Sequence, residues 1–153
     1  MNTLYMLYGD TCPHSLRHRE WLARQGSIVC LRFLPHRAEE IACRFPGIEA
    51  HLTPRDFTVV SDDCELWTGP AAAVMCLFAL EQYRELAERL AHPTLLPYSR
   101  TALELLSREV YEMQRLLRRG THAELEELLR LNSEIVRQHF RLPVPPALPA
   151  RRA

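Results

Sequence analysis

The chain has 153 residues, 47% hydrophobic and 25% charged, with nineteen basic residues against nineteen acidic ones. That length suffices for one domain with a real core, and the even charge balance argues against a general affinity for nucleic acid. No apolar run approaches the length that crosses a membrane, and no basic-then-apolar leader opens the chain, so a cytoplasmic protein is expected.

In chain order, Thr3 to Tyr8 reads as a strand that ends in the turn signal Gly9-Asp10-Thr11. Cys12 and Pro13 then lead into a helix over His14 to Arg24, with proline suited to its first turn and Gly26 to its end. Ser27 to Leu34 is a second strand. Strand, helix and strand within about thirty residues predict a βαβ unit with a parallel pair and a right-handed crossover. Ala38, Ile41, Ala42 and Phe45 share one face of a short helix, which Pro46-Gly47 stops. Phe57 to Ser61 and Glu65 to Thr68 form a β-hairpin around Asp62-Asp63-Cys64.

Gly69-Pro70 opens a helix expected to run unbroken to about Leu90, apolar on nearly every side in its first half. His92 to Pro97 is a linker with two prolines. Thr101 with Glu104, and Thr121 with Glu124, match the capping box at the starts of two further helices. Leu103, Leu106, Val110, Met113 and Leu117 stripe the first. Leu125, Leu128, Leu129, Ile135, Val136 and Phe140 stripe the second. The pair is expected to form an antiparallel hairpin, followed by a disordered tail from Pro143 to Ala153.

Cys12 is the candidate reactive group. A helix N-terminus points its free N–H groups and the positive end of its dipole at such a residue, which favours a thiolate. His14, Arg17, His18 and Arg19 add cationic groups that favour it further and attract an anionic thiol such as glutathione. The spacing is Cys-x-x-Ser. Cys12 can attack a disulfide, but Ser15 cannot release the mixed disulfide as a second thiol would. The Ser15 hydroxyl can still donate a hydrogen bond to the thiolate. The other cysteines, Cys30, Cys43, Cys64 and Cys76, lack framework spacing and are expected to be mostly free thiols. Cys12, His14 and His18 are also a conceivable zinc or copper(I) set, but no Cys-x-x-Cys pair or acidic partner supports them, and no metal is assigned.

The element order, with a cysteine where the first strand meets the first helix, resembles the thioredoxin fold. The segments from Leu7 to Pro13, from Val59 to Ala72, and from Leu90 to Leu106 with Pro93 and Pro97 resemble the DCC family. Its members are predicted thiol-disulfide oxidoreductases, also catalogued as a domain of unknown function. Ser15 stands where that family has its second cysteine, Cys64 where it has a turn glycine, and Gly9-Asp10 reverses its acidic-glycine order. The resemblance spans about Leu4 to Arg119. It implies a thioredoxin-like α/β fold with a four-stranded mixed sheet and flanking helices. It also implies a cis-proline ahead of the third strand that faces the cysteine and shapes a substrate groove beside Pro13 and His14. Pro54 is the candidate for that proline. Residues 1–119 are then the thioredoxin-like domain, 120–142 an added helix that completes a C-terminal hairpin, and 143–153 the tail.

The leading expectation is one-cysteine thiol-disulfide exchange, or glutathione mixed-disulfide chemistry, through Cys12 and Ser15. It needs no bound cofactor, with glutathione as a potential co-substrate and a small thiol or a protein as partner. The alternative is a non-catalytic binding module that uses the groove or the last helix, whose leucine stripe could also seat a second copy. A metal-handling protein is third.

Overall fold

A computed structural model describes residues 1–54 and 56–140, the last six as backbone alone. The tail at 143–153 and the side chains of Ile135, Val136 and Phe140 lie outside what is described. The strands are β1 (Thr3–Tyr8), β2 (Cys30–Pro35), β3 (Thr58–Ser61) and β4 (Leu66–Thr68). The helices are α1 (Pro13–Ala23), α2 (Glu39–Arg44), α3 (Gly69–Phe78), α4 (Arg84–Leu90), α5 (Ser99–Ser107), α6 (Tyr111–Arg119) and α7 (His122–Phe140). Short 3₁₀ turns cover Ile48–His51, Glu81–Tyr83 and Leu96–Tyr98.

The sheet order is β2-β1-β3-β4, and β1 is its longest inner strand. β1 runs parallel to β2, from Thr3 opposite Cys30 to Tyr8 opposite Pro35. β3 lies antiparallel to both β1 and β4. The protein is therefore α/β with a four-stranded mixed sheet, and β3 with β4 makes the expected hairpin. Cys64 in its turn has φ 63°, the left-handed region that glycine occupies without penalty.

The alternation of side chains along β1 divides the core in two. Leu4, Met6 and Tyr8 point to one face, with Phe57 and Val59, and are covered by Trp21 and Leu22 of α1 and by Val74 and Leu77 of α3. Tyr5 and Leu7 point to the other, with Leu34 and Val60, beneath Ile41 of α2, Phe45 and Ile48. Arg44 closes that smaller layer by donating to the Tyr5 hydroxyl at 2.8 Å.

α7 belongs to the larger core. Its Leu125 and Leu129 are fully buried, as is Leu117 of α6. Leu125→Ala is expected to destabilise the fold by about 3 kcal/mol, as emptying a leucine site usually does. Urea unfolding checks this, and a loss under about 1 kcal/mol would mean that α7 does not pack there. The α7 start is as expected: the Glu124 carboxylate accepts from the Thr121 amide at 2.8 Å, and the Glu124 amide donates to Thr121 Oγ1 at 3.3 Å. Among the described residues no helix is long and apolar enough to cross a membrane.

Three expectations fail for physical reasons. The helix predicted from Gly69 to Leu90 breaks after Phe78, because the 26–28 segment takes its backbone bonds. Ile28 donates to the Ala79 carbonyl, Glu81 donates to that of Gly26, and Ser27 bridges Leu80. The helix predicted from Thr101 to Leu117 breaks between α5 and α6, where Glu109 takes φ 56°. Thr101 is not a cap, since α5 already begins at Ser99. Glu104, its supposed capping partner, points into the protein instead.

Candidate functional site

β1 ends at Tyr8, and the chain turns through Gly9, Asp10 and Thr11 to enter α1. The Cys12 amide donates to the Gly9 carbonyl at 3.3 Å, and the Cys12 carbonyl accepts from Leu16 at 3.0 Å as the first bond of the helix. Cys12 is thus the N-cap residue, with extended backbone, and Pro13 follows in the first turn. Cys12 is half-buried and Pro13 exposed. Ser15 is buried.

Pro54 is brought to this turn. A Cβ on Gly9 would stand 2.1 Å from the Pro54 carbonyl oxygen, so the backbone of the segment before β3 lies directly on the backbone of the Cys12 turn. Pro54 is exposed. Among the described residues no peptide bond is cis, so the Thr53–Pro54 bond is trans and the cis-proline that the resemblance implies is not found at Pro54. Asp10 is near Arg37, with 3.9 Å between Oδ1 and Nε.

Behind the turn lies a polar seam between α1 and α5 that the sequence reading did not assemble. Glu104 is fully buried. Its Oε2 is 2.7 Å from His18 Nε2, and its Oε1 accepts from Arg17 and from Arg108 Nε, both at 2.9 Å. His14 Nδ1 is 3.8 Å from the same Oε1 and 2.6 Å from the Arg17 guanidinium. Burial works to raise the Glu104 carboxyl, but the bond and charge of His18, then Arg108 and Arg17, overcome it and bring its pKa to about 2. Beside the seam, Arg100 pairs with Asp56, and His18 stacks on Phe57 with 5.9 Å between ring centres. Burial pushes the Asp56 carboxyl up, against the pull of Arg100 and the Phe57 amide.

The cations predicted to surround Cys12 are therefore already engaged. Arg17 and His18 serve Glu104, and Arg19 lies over the Tyr8 ring at 5.6 Å. Glu104, Arg100, Arg108 and Asp56 were missed. The usable signal was on α5: Arg100, Glu104 and Arg108 recur every four residues, which puts them on one helix face, and Glu104 is flanked by Leu103 and Leu105 in an apolar run.

The five cysteines are all free thiols. Cys30 pairs with Thr3, at the opposite end of β1 from Cys12, about 17 Å away at strand rise. Cys64 follows Ser61, which pairs with Leu4 at that same far end. Cys43 is on α2, across the sheet from α1. Cys76 is fully buried, and burial pushes its thiol up. No group of three or more His, Cys, Asp or Glu side chains among the described residues could hold a metal ion, the set of Cys12, His14 and His18 included.

Comparison of the chain with protein families, with curated proteins and with solved structures finds no match.

Proposed function

We propose that this is a thioredoxin-like protein of the DCC type that carries out thiol-disulfide exchange through a single cysteine, Cys12. The observation that carries the proposal is the placement of Cys12 as the N-cap residue of α1, at the end of an inner strand and half-open to solvent. The sheet order, with one parallel pair and an antiparallel hairpin, is in keeping with a thioredoxin-like layout. The Pro54 backbone packs on the Gly9 turn, which sets Pro54 beside the strand-to-helix corner that carries Cys12.

The chemistry requires no second internal thiol. The Cys12 thiolate attacks one sulfur of a substrate disulfide and forms a mixed disulfide. The other sulfur leaves as a thiolate and takes up a proton. An outside thiol, in its thiolate form, then attacks the substrate sulfur of the mixed disulfide. Cys12 leaves as a thiolate, the outside thiol and the substrate half that Cys12 held depart as a new disulfide, and the two electrons reside on the substrate thiol released in the first step. Glutathione has the chemistry to serve as that outside thiol, and Ser15 and the helix N-terminus are the groups assigned to support Cys12.

The test is glutathione-dependent reduction of a small glutathionylated thiol. The chain is expected to accelerate the reaction, Cys12→Ser to return it to the uncatalysed rate, and serine at Cys30, Cys43 and Cys64 to leave it unchanged. A chain no faster than free glutathione would contradict the proposal. It would favour the adaptor alternative, for which the exposed Val110, Tyr111 and Leu131 of the helical region are the surface to examine.

A further inference from the structure

The buried carboxylate of Glu104 stands against more positive charge than it can neutralise. Arg17 and Arg108 both donate to its Oε1, His18 contacts Oε2, and His14 approaches within 3.8 Å. The neighbouring Arg100 is matched by Asp56. Two arginines against one carboxylate leave one positive charge on the seam, before either histidine is counted. Three of the four groups come from α1, two to six residues beyond Cys12, which occupies the N-cap position of that helix. Cys12 is two residues from His14, whose Nδ1 is 3.8 Å from Glu104 Oε1, so the spacing of the chain sets the carboxylate on the order of 10 Å from Cys12.

Resting on the assignment of Cys12 as the reactive thiol, we propose that Glu104 determines which charge of substrate Cys12 accepts. It is a specificity-determining counter-charge. With Glu104 in place, the first turns of α1 keep a small net positive charge, which suits a thiol or disulfide bearing a carboxylate without holding it tightly. Glu104 acts through Arg17 and the two histidines and does not touch the substrate. One unit charge at that distance, between the dielectric of a protein surface and that of water, changes the local concentration of an anion by about fivefold. Neutral molecules are unaffected.

The experiment compares alkylation of Cys12 by iodoacetate, which is anionic, and by iodoacetamide, which is neutral, at low ionic strength, with the site read by peptide mass spectrometry. The ratio of the two rates cancels changes in the thiol itself and in its exposure. Glu104→Gln is expected to raise the anionic-to-neutral ratio by about fivefold, and Arg17→Gln to lower it by a similar factor. Half-molar salt should collapse both differences. Arg17 is partly exposed, so the second variant keeps the test open if the first does not fold. Ratios that stay at the wild-type value, or that move together in one direction, would reduce Glu104 to a structural role. A Cys12 that reacts with neither reagent would instead overturn the assignment of Cys12 itself, and this inference with it.

Discussion

Glu104→Ala is expected to lower the stability of the fold by about 3 kcal/mol at neutral pH. The carboxylate is fully buried and is the shared acceptor of Arg17, His18 and Arg108. Removing it leaves cationic donors against an apolar wall, and breaking one side of such a pair typically costs about 3–5 kcal/mol. The lower end applies because Arg17 and Arg108 reach solvent and recover some hydration. The same carboxylate gives the acid profile its sign. Its pKa falls from 4.5 to about 2 on folding, so the unfolded chain takes up the proton first as pH drops. The contribution of Glu104 is complete above about pH 4.5 and is lost as pH falls toward about 2. Wild type should lose stability across that window, and Glu104→Ala should lose less, so the two curves converge in acid. Urea unfolding from pH 7 to pH 2.5 measures this, and parallel curves would contradict it.

Gly9→Ala is expected to cost a similar amount, about 2–3 kcal/mol, through a different mechanism. Gly9 is needed for space and not for an unusual φ. The added methyl carbon would stand 2.1 Å from the Pro54 carbonyl oxygen and 3.0 Å from its carbon. Both belong to backbone, so no rotamer change relieves the clash, and either Pro54 or the Cys12 turn must move. The Cys12 amide bonds to the Gly9 carbonyl, so displacement of the turn should also alter the reactivity of Cys12. Thermal unfolding together with the rate of Cys12 alkylation measures both. An alanine variant as stable as wild type would mean that the Pro54 segment does not rest on the turn.

Much of this architecture was legible because local chemistry and tertiary need agreed. The run Leu4 to Tyr8, the Gly9-Asp10 turn and the proline after Cys12 each specify the same strand-to-helix corner. The Thr121–Glu124 cap was legible for the same reason, since both partners are exposed and nothing else competes for them.

The site was half legible. Cys12 stands out by its position, whereas Glu104 was misread. The spacing of Thr101 and Glu104 fits a capping box as well as that of Thr121 and Glu124, and a single sequence does not reveal that Arg17 and His18 lie opposite on another helix. The two helix breaks were hidden in the same way. No glycine or proline marks Ala79–Leu80 or Arg108–Val110. The first break arises because residues 26–28, far away in sequence, supply strand-like bonds to residues 79–81.

The most direct test of the central claim is an internal race among the cysteines of the native chain. Cys12 is half-buried, whereas Cys30, Cys43 and Cys64 are exposed. If access alone governed reactivity, Cys12 would be slower than those three. Of the five cysteines it alone occupies the N-cap position of a helix, and a helix N-terminus in general favours attack by a thiolate. Limited alkylation with iodoacetamide at neutral pH, with each site quantified by mass spectrometry, is expected to show Cys12 modified several-fold faster than the three exposed thiols. A Cys12 modified more slowly than those three would contradict the account, since burial would then govern its behaviour and the placement at α1 would confer no special chemistry.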